Sequence, residues 1–369
     1  MKIVHFSDLH LDSPFAWAGA TGDVARRRRQ ALRDTLVNIA NLAREQNADA
    51  LLCGGDLFEH DRVTPDTAEF LRTTFIALNP IRVFLAPGNH DFYDQRSLYS
   101  LVNWPDNVHI FDDPTLRPVE LEAGLTLWGA AHRVPANTPN FLEGFRVSGS
   151  GIHLGLFHGS ENSWWAEQDD GVKKPHAPFE THQIEEAGFH HVFLGHYHRP
   201  KDAPFHTYPG NPDPLEFGEQ GERGAVVATI APDGTIARER HRVGITGVHD
   251  LNLDVSGCTT QQQIRDLLTQ RTGGMTGLAR LTVSGELDPN VELNVTDLAD
   301  ILSNAFDAHR VSIGDIHAAY DIETIRAEPT VRGRFVNDVL AAGLDDDEER
   351  RVLVTGLRAL AQRSDLEVL

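Results

Sequence analysis

Five short segments of this 369-residue chain carry Asp, His and Asn in a fixed order, each at the end of an apolar run. They read Ser7-Asp8-Leu9-His10, Gly54-Gly55-Asp56, Gly88-Asn89-His90-Asp91, Phe157-His158-Gly159 and Gly195-His196-Tyr197-His198. Carboxylate, carboxamide and imidazole donors without a thiolate suit a catalytic pair of divalent cations better than a structural zinc. Two such cations about 3.5–4 Å apart clamp a phosphoester for in-line attack and generate hydroxide near neutral pH. Asp8 and His10, two residues apart at a strand end, can reach one ion, and Asp56, after its double glycine, can bridge two. Asn89 offers a neutral oxygen, while His158, His196 and His198 complete the imidazole donors. His90 is an imidazole able to donate a proton, with Asp91 beside it to orient the ring. None of these segments is specific alone, because a Gly-Asp pair is usually a turn and a lone strand-end histidine is usually structural. Their joint order points to hydrolysis of phosphate esters. His132, His153, His182, His190 and His191 lie near the segments without matching them and are set aside.

The elements that must position these residues follow from periodicity. Apolar runs over 3–6, 50–53, 83–86, 152–157 and 192–194 end at the five segments. Helical patterns fill the early gaps over 25–46 and 65–78, the second with Thr64 as N-cap and Pro65 at the first helical position. This alternation predicts a right-handed parallel sheet covered by helices, with ligands bound beyond the carboxyl ends of its strands. After about residue 100 strands and turns dominate, over 108–111, 126–130, 205–208, 224–230 and 235–242, with a hairpin at Pro232-Asp233-Gly234. The expected fold class is α/β: two sheets face to face with helices outside over 1–245, then a smaller α+β domain over 246–369. There the pattern predicts strands over 251–255 and 279–283 and helices near 260–270, 295–308, 333–342 and 345–363. The last opens on Asp345-Asp346-Asp347-Glu348-Glu349, in keeping with the helix macrodipole.

Composition narrows the setting. No run of about 18 apolar residues predicts a membrane span. The chain enters a strand at Lys2 without room for a signal core, and Cys53 and Cys258 read as reduced thiols, so the cytoplasm is the expected compartment. With 33 basic against 54 acidic residues the net charge is −21, which argues against a protein that coats nucleic acid unaided. It leaves room for a nuclease whose site carries its own cations or whose partner supplies the basic track. Lys2, Lys173, Lys174 and Lys201 are the only lysines, so phosphate contacts would fall to arginine. Arg26, Arg27, Arg28 and Arg29 form the basic cluster: either a backbone-phosphate contact beside the first metal loop or a solvated helix face. Trp164 and Trp165 could stack on a splayed base or plug a core or a dimer interface.

The order Asp-x-His, Gly-Asp, Gly-Asn-His-Asp, His, Gly-His-x-His resembles the calcineurin-like metallophosphoesterases. The longer strings resemble the DNA repair exonucleases of the SbcD and YhaO type: His5-Phe6-Ser7-Asp8-Leu9-His10-Leu11-Asp12-Ser13-Pro14-Phe15, Gly55-Asp56-Leu57-Phe58, Asn107-Val108-His109-Ile110-Phe111 and Tyr208-Pro209-Gly210. The likeness covers residues 1–240 and extends weakly to Glu328-Pro329-Thr330-Val331-Arg332-Gly333-Arg334-Phe335. It implies a four-layer αββα sandwich holding two divalent ions, Mn²⁺ expected. Asp8, His10, Asp56 and His198 would hold one ion. Asp56, Asn89, His158 and His196 would hold the other, with Asp56 bridging. His90 would contact the scissile phosphate and serve the leaving oxygen, supported by Asp91. The resemblance further implies DNA as substrate, an SMC-like ATPase of the SbcC type as partner, and a homodimer. One position departs from the pattern: some relatives carry histidine directly after Gly-Asp-Leu-Phe, where this chain has Glu59 and then His60. Competing readings are a small-molecule phosphodiesterase or phosphatase, for example on cyclic nucleotides, and an inactive scaffold. The extra C-terminal region weighs against the first, and the complete ligand set against the second.

Overall fold

The computed structural model describes residues 1–18, 22–167 and 175–362. The chain divides into two compact units, Met1–Thr246 and Gly247–Leu369. Strands of the first unit are β1 (Lys2–Phe6), β2 (Ala50–Cys53), β3 (Arg82–Leu85), β4 (Val108–Ile110), β5 (Arg117–Glu122) and β6 (Leu125–Gly129). They continue with β7 (Ile152–His158), β8 (His191–Gly195), β9 (Lys201–Asp202), β10 (His206–Tyr208), β11 (Ala225–Ile230) and β12 (Ile236–His241). Two six-stranded sheets result, ordered β12-β11-β1-β2-β3-β4 and β5-β6-β7-β8-β10-β9. In each, four neighbouring strands run parallel, β1-β2-β3-β4 and β6-β7-β8-β10, with antiparallel strands at the margins.

Side-chain alternation along these strands builds the layers. Ile3, Ala50, Leu52 and Phe84 meet Leu127, Leu154, Leu156 and Phe193 in the core between the sheets. The opposite parity, Val4, Phe6, Leu51, Cys53, Val83 and Leu85, packs under helices α1 (Asp23–Glu45) and α2 (Pro65–Ile76). Thr64 caps α2 by accepting from Thr67 N at 3.2 Å, with Pro65 at N1, as the sequence predicts. On the far side Phe157, Val192, Leu194 and Tyr208 pack with Phe141, Phe179 and helix residues Ile184 and Ala187. These are the helix–sheet–sheet–helix layers of the expected sandwich.

The basic cluster and the tryptophan pair divide on inspection. Arg28 is 1 % exposed: its guanidinium donates to Asp213 Oδ2 at 2.8 Å and to Thr246 Oγ1, so it cannot reach a DNA phosphate. A helix presents every side of its circumference, and position 28 falls on the buried stripe with Ala25, Ala31 and Leu32. Arg26, paired with Asp23, and Arg27 are exposed and Arg29 is half-buried. Trp164 is 5 % exposed, its ring 4.7 Å from Tyr197 and under the Lys201 ammonium, which makes it core and not a stacking platform. The Trp165 side chain lies outside what the structure describes.

In the second unit, β13 (Val248–Asp254), β14 (Leu278–Leu287) and β15 (Ala308–Ala318) form one parallel sheet. Helices of that unit include one over Gln261–Thr272, opened by the Thr260/Gln263 capping box, and one over Val295–Ala305. The helix expected over 295–308 thus stops early, and β15 follows where the sequence pattern predicts no strand. That strand is mostly half-exposed, and its large apolar residues are Val311, Ile313 and Ile316, too short an alternating run to mark an eleven-residue strand. A final helix over Asp346–Leu360 is capped by Asp345, whose carboxylate accepts from Glu348 N.

Candidate metal centre

Every one of the five segments leaves the carboxyl end of a parallel strand, β1, β2, β3, β7 or β8, so both sheets deliver donors to one rim. The two sheets approach closely there. His196 N donates to Asp8 Oδ1 at 3.0 Å, and His158 Nδ1 meets Gly54 O at 2.9 Å. Glycine is required for this approach: a Cβ on Gly55 would lie 2.7 Å from His158 Nδ1, and one on Gly88 2.8 Å from Asp56 N. Four of the seven residues sought as ligands adopt left-handed backbone, Asp8 (φ 54°), His10 (51°), Asp56 (51°) and His196 (115°). Such φ costs about 1–3 kcal/mol per non-glycine residue and marks sites where surrounding structure imposes geometry for function.

Donor atoms converge in three overlapping groups, Asp8/His10/His198, His10/Asp56/His90 and Asp8/Asp56/His158, all within 4.8 Å inside each group. Asp56 and Asp8 each belong to two of them. Asp56 Oδ2 lies 3.2 Å from His158 Nε2 and 3.7 Å from His10 Nε2, and Asn89 Oδ1 lies 3.1 Å from His158 Nε2. The His196 ring is 5.1 Å from that of His158. All seven residues therefore meet at one place.

The imidazoles are set up as metal ligands usually are, with one ring nitrogen held by an acceptor and the other left to the site. Nδ1 of His10 meets Glu59 Oε1 at 2.8 Å, Nδ1 of His158 meets Gly54 O, and Nδ1 of His198 meets Glu219 Oε1 at 2.9 Å. Nε2 of His10 is buried with no hydrogen-bond partner among the described residues. An orphaned buried nitrogen facing carboxylates, in a set of hard and borderline donors, fits a divalent cation.

His90 differs from these in being about half exposed. Its backbone N donates to Asp56 Oδ1 at 2.8 Å, and its Nδ1 meets Glu59 Oε2 at 2.9 Å. Burial favours a neutral His90 ring, but the Glu59 hydrogen bond and the charges of Asp56, Glu59 and Asp91 outweigh it and raise the imidazole to about 9. Burial likewise opposes charge on Glu59, yet hydrogen bonds from His10 and His90 hold its carboxyl down at about 2. His158 follows the same logic: desolvation is overcome by the Asp56 charge and hydrogen bond, and the ring rises to about 9.

Two corrections emerge. Asp91 does not orient the His90 imidazole. Its fully buried carboxylate accepts from Asp56 N (3.1 Å), Leu57 N (2.7 Å), Gly88 N (2.6 Å) and Tyr99 Oη (2.6 Å), tying two metal loops together. The carboxylate on His90 is Glu59, three residues beyond Asp56, which sequence reading passes over because it fills a position where some relatives carry histidine. His60, at the offset position, stacks on Phe92 at 4.2 Å instead. Of the histidines set aside, His132 supports the site from behind, its Nε2 at 2.7 Å from His158 O.

Parallel strands from two facing sheets, oxygen and nitrogen donors on their common rim, and an imidazole held by a carboxylate beside them define a metal-dependent phosphoesterase. The chain belongs to the calcineurin-like phosphoesterase family, whose pattern matches residues 1–200. It is 26 % identical over 254 residues to "Uncharacterized metallophosphoesterase YhaO" of Bacillus subtilis (strain 168), a match covering 66 % of this chain and 60 % of that one. It is 23 % identical over 251 residues to "DNA double-strand break repair protein Mre11" of Methanopyrus kandleri, covering 61 % of this chain and 52 % of that one. The matched stretch thus spans little more than half the length of either relative. The crystal structure of TT1561 of Thermus thermophilus aligns to 65 % of this chain and 98 % of that one, with TM-score 0.35 and 14 % identity, too slight a likeness to bear on function. Among the described residues no helix is long and apolar enough to cross a membrane.

Proposed function

We propose that this chain is a two-metal phosphodiesterase acting on DNA, a nuclease subunit that works with an SMC-like, SbcC-type ATPase, as a homodimer and in the cytoplasm. The observation that carries the reading is the convergence of seven N/O ligands beside a proton-bearing His90. Similarity to a relative described as a DNA double-strand break repair protein supports the choice of DNA. Asp8, His10, Asp56 and His198 would hold one divalent cation, and Asp56, Asn89, His158 and His196 the other, with Mn²⁺ proposed for both. When bound, the ions polarise the phosphoryl group and activate the attacking water. The protein's own share falls to a few side chains. Asp91 fixes the loops of Asp56 and Asn89 against each other. Glu59 accepts the Nδ1 proton of His90 and so presents its other nitrogen to the leaving oxygen. Arg26, Arg27 and Arg29 remain candidates for phosphate contact, and Gly247–Leu369 serves as the accessory domain.

Digestion of end-labelled single- and double-stranded DNA with Mn²⁺ tests this, run beside bis-p-nitrophenyl phosphate and cyclic AMP. Cleavage of DNA that His90→Ala abolishes is the expected result. Turnover of the small diesters, with DNA left intact even when the ATPase is present, would refute the nuclease reading and leave a small-molecule phosphodiesterase.

A further inference from the structure

The residues 211–223 close around His198 in a way that its sequence position, past the last metal segment, does not announce. Glu219 is half-buried, and Oε1 of its carboxylate takes His198 Nδ1 at 2.9 Å. Oε2 accepts from Asn211 Nδ2 (2.7 Å), Leu215 N (2.6 Å) and Glu216 N (3.2 Å). The same stretch grips the main chain of His198. Asn211 N donates to His198 O at 3.1 Å, and Arg223 Nη1 donates to His198 O and to Asn211 Oδ1 while its Nε donates to Glu219 O at 2.7 Å. Gly210 (φ 73°) lets the chain pass that carbonyl, because a Cβ there would overlap it.

We propose that Glu219 is the positioning residue of His198, fixing the tautomer and ring orientation that the Asp8/His10/His198 cation needs and thereby setting that ion's affinity separately from the other's. Imidazole ligands whose far N–H is held by a carboxylate are pre-oriented and more basic, and loss of such a partner lowers metal affinity about 10–100-fold. The Glu219 carboxylate takes four donors, three of them on Oε2 and His198 on Oε1, so it is held in one place and the ring follows it. In Glu219→Gln the amide could accept from His198 only by turning its hydrogens on Leu215 N and Asn211, donors all. No such carboxylate backs His158, whose Nδ1 is held by the neutral carbonyl of Gly54, so the effect is confined to one of the two sites.

The inference rests on His198 being a ligand, and the test separates the two claims. Metal-stripped full-length protein is titrated with Mn²⁺ by calorimetry as wild type, His198→Ala, Glu219→Gln and Glu161→Gln, with melting temperatures in EDTA. Glu161 is a buried carboxylate that likewise accepts several donors, from Ser163, Trp164 and Thr181, and touches no proposed ligand side chain, so it controls for general destabilisation. Two binding events in wild type with one lost in His198→Ala establish the ligand, and two intact events in His198→Ala refute that reading by itself. Glu219→Gln should weaken the event that His198→Ala removes by about 10–100-fold and leave the other unchanged. Wild-type affinities in Glu219→Gln, or equal weakening of both events that Glu161→Gln reproduces at the same loss of melting temperature, would overturn the proposal.

Discussion

Replacing Asp91 by alanine should destabilise the metal-free protein heavily, because its carboxylate is the acceptor for four buried donors and not a prop for His90. Three of those donors are backbone N–H groups of Asp56, Leu57 and Gly88, and the fourth is the Tyr99 hydroxyl. Each buried donor left without an acceptor costs about 1–3 kcal/mol. The tyrosine hydroxyl can turn away, whereas the three amides are fixed by the loops they belong to, so the total is about 3–9 kcal/mol. For a unit of this size 1 kcal/mol moves Tm by roughly 2–4 °C, which gives a fall of about 6–36 °C. Asp91→Asn keeps one acceptor oxygen and sets its amide hydrogens against the other pair of donors, so it should fall near the middle of that range. Tyr99→Phe removes one donor and leaves the acceptor with three, for a loss of about 1–2 kcal/mol. The assay is a thermal melt in EDTA at pH 7.5, followed by the first unfolding transition, since two units need not melt together. A fall below about 3 °C for Asp91→Ala, with activity nonetheless lost, would refute the loop-tying role and return Asp91 to the support of His90.

Further outcomes follow from the same geometry. Glu59→Gln should lower the turnover of bis-p-nitrophenyl phosphate by about 10²–10⁴-fold, the usual contribution of a positioned proton donor, and lower the melting temperature too, because the charged hydrogen bonds with His10 and His90 that hold its carboxyl down are lost. An unaltered rate would show that His90 does not depend on it. Burial and neighbouring cations depress His191 to about 3, and burial chiefly depresses His206 to about 4. Below pH 6.5 the unfolded chain therefore binds protons that the native state refuses, and each histidine removes about 1.4 kcal/mol of stability per pH unit as pH falls from 6.5 toward 4. His90 and His158, raised to about 9, act oppositely: their contribution is complete below pH 6.5 and lost as pH rises through 9. Stability of the metal-free protein measured by urea melts should accordingly peak near pH 6.5, and His191→Gln should flatten the acid side. With His158 as the proposed ligand, metal binding would displace its proton, so apparent affinity for the proposed Mn²⁺ should rise about tenfold per pH unit between 7 and 9, with proton release detectable as buffer-dependent binding heat.

How much of the site could be read from the sequence differs by residue. Asp8, His10, Asp56, Asn89, His158, His196 and His198 were legible because strand ends in a parallel sheet gather at one rim, so order along the chain stands in for nearness in space. The Thr64-Pro65 helix start was equally local, fixed by a side-chain oxygen and a ring within three residues. Glu59 was visible but unassigned, since its value lies in reaching two histidines that precede and follow it by 49 and 31 residues. Glu219 carried no signal at all, being one of several acids, with Asp213, Glu216 and Glu222, in a turn-rich stretch. Strand β15 was missed because a half-exposed edge strand needs few apolar residues.

The sequence by itself determined the donor chemistry, the strand–helix alternation and hence the rim where ligands collect, because residue type and short-range periodicity are properties of the chain. Tertiary structure alone decided which carboxylate serves which imidazole. Asp91 adjoins His90 in sequence, yet its carboxylate points into the loops and Glu59 takes the ring. It also decided that Arg28 and Trp164 are core, although each stands beside a residue of the same type. A side chain's partners depend on where the backbone turns it, and at left-handed positions such as Asp8, His10 and Asp56 that direction is imposed by contacts from strands more than 30 residues away.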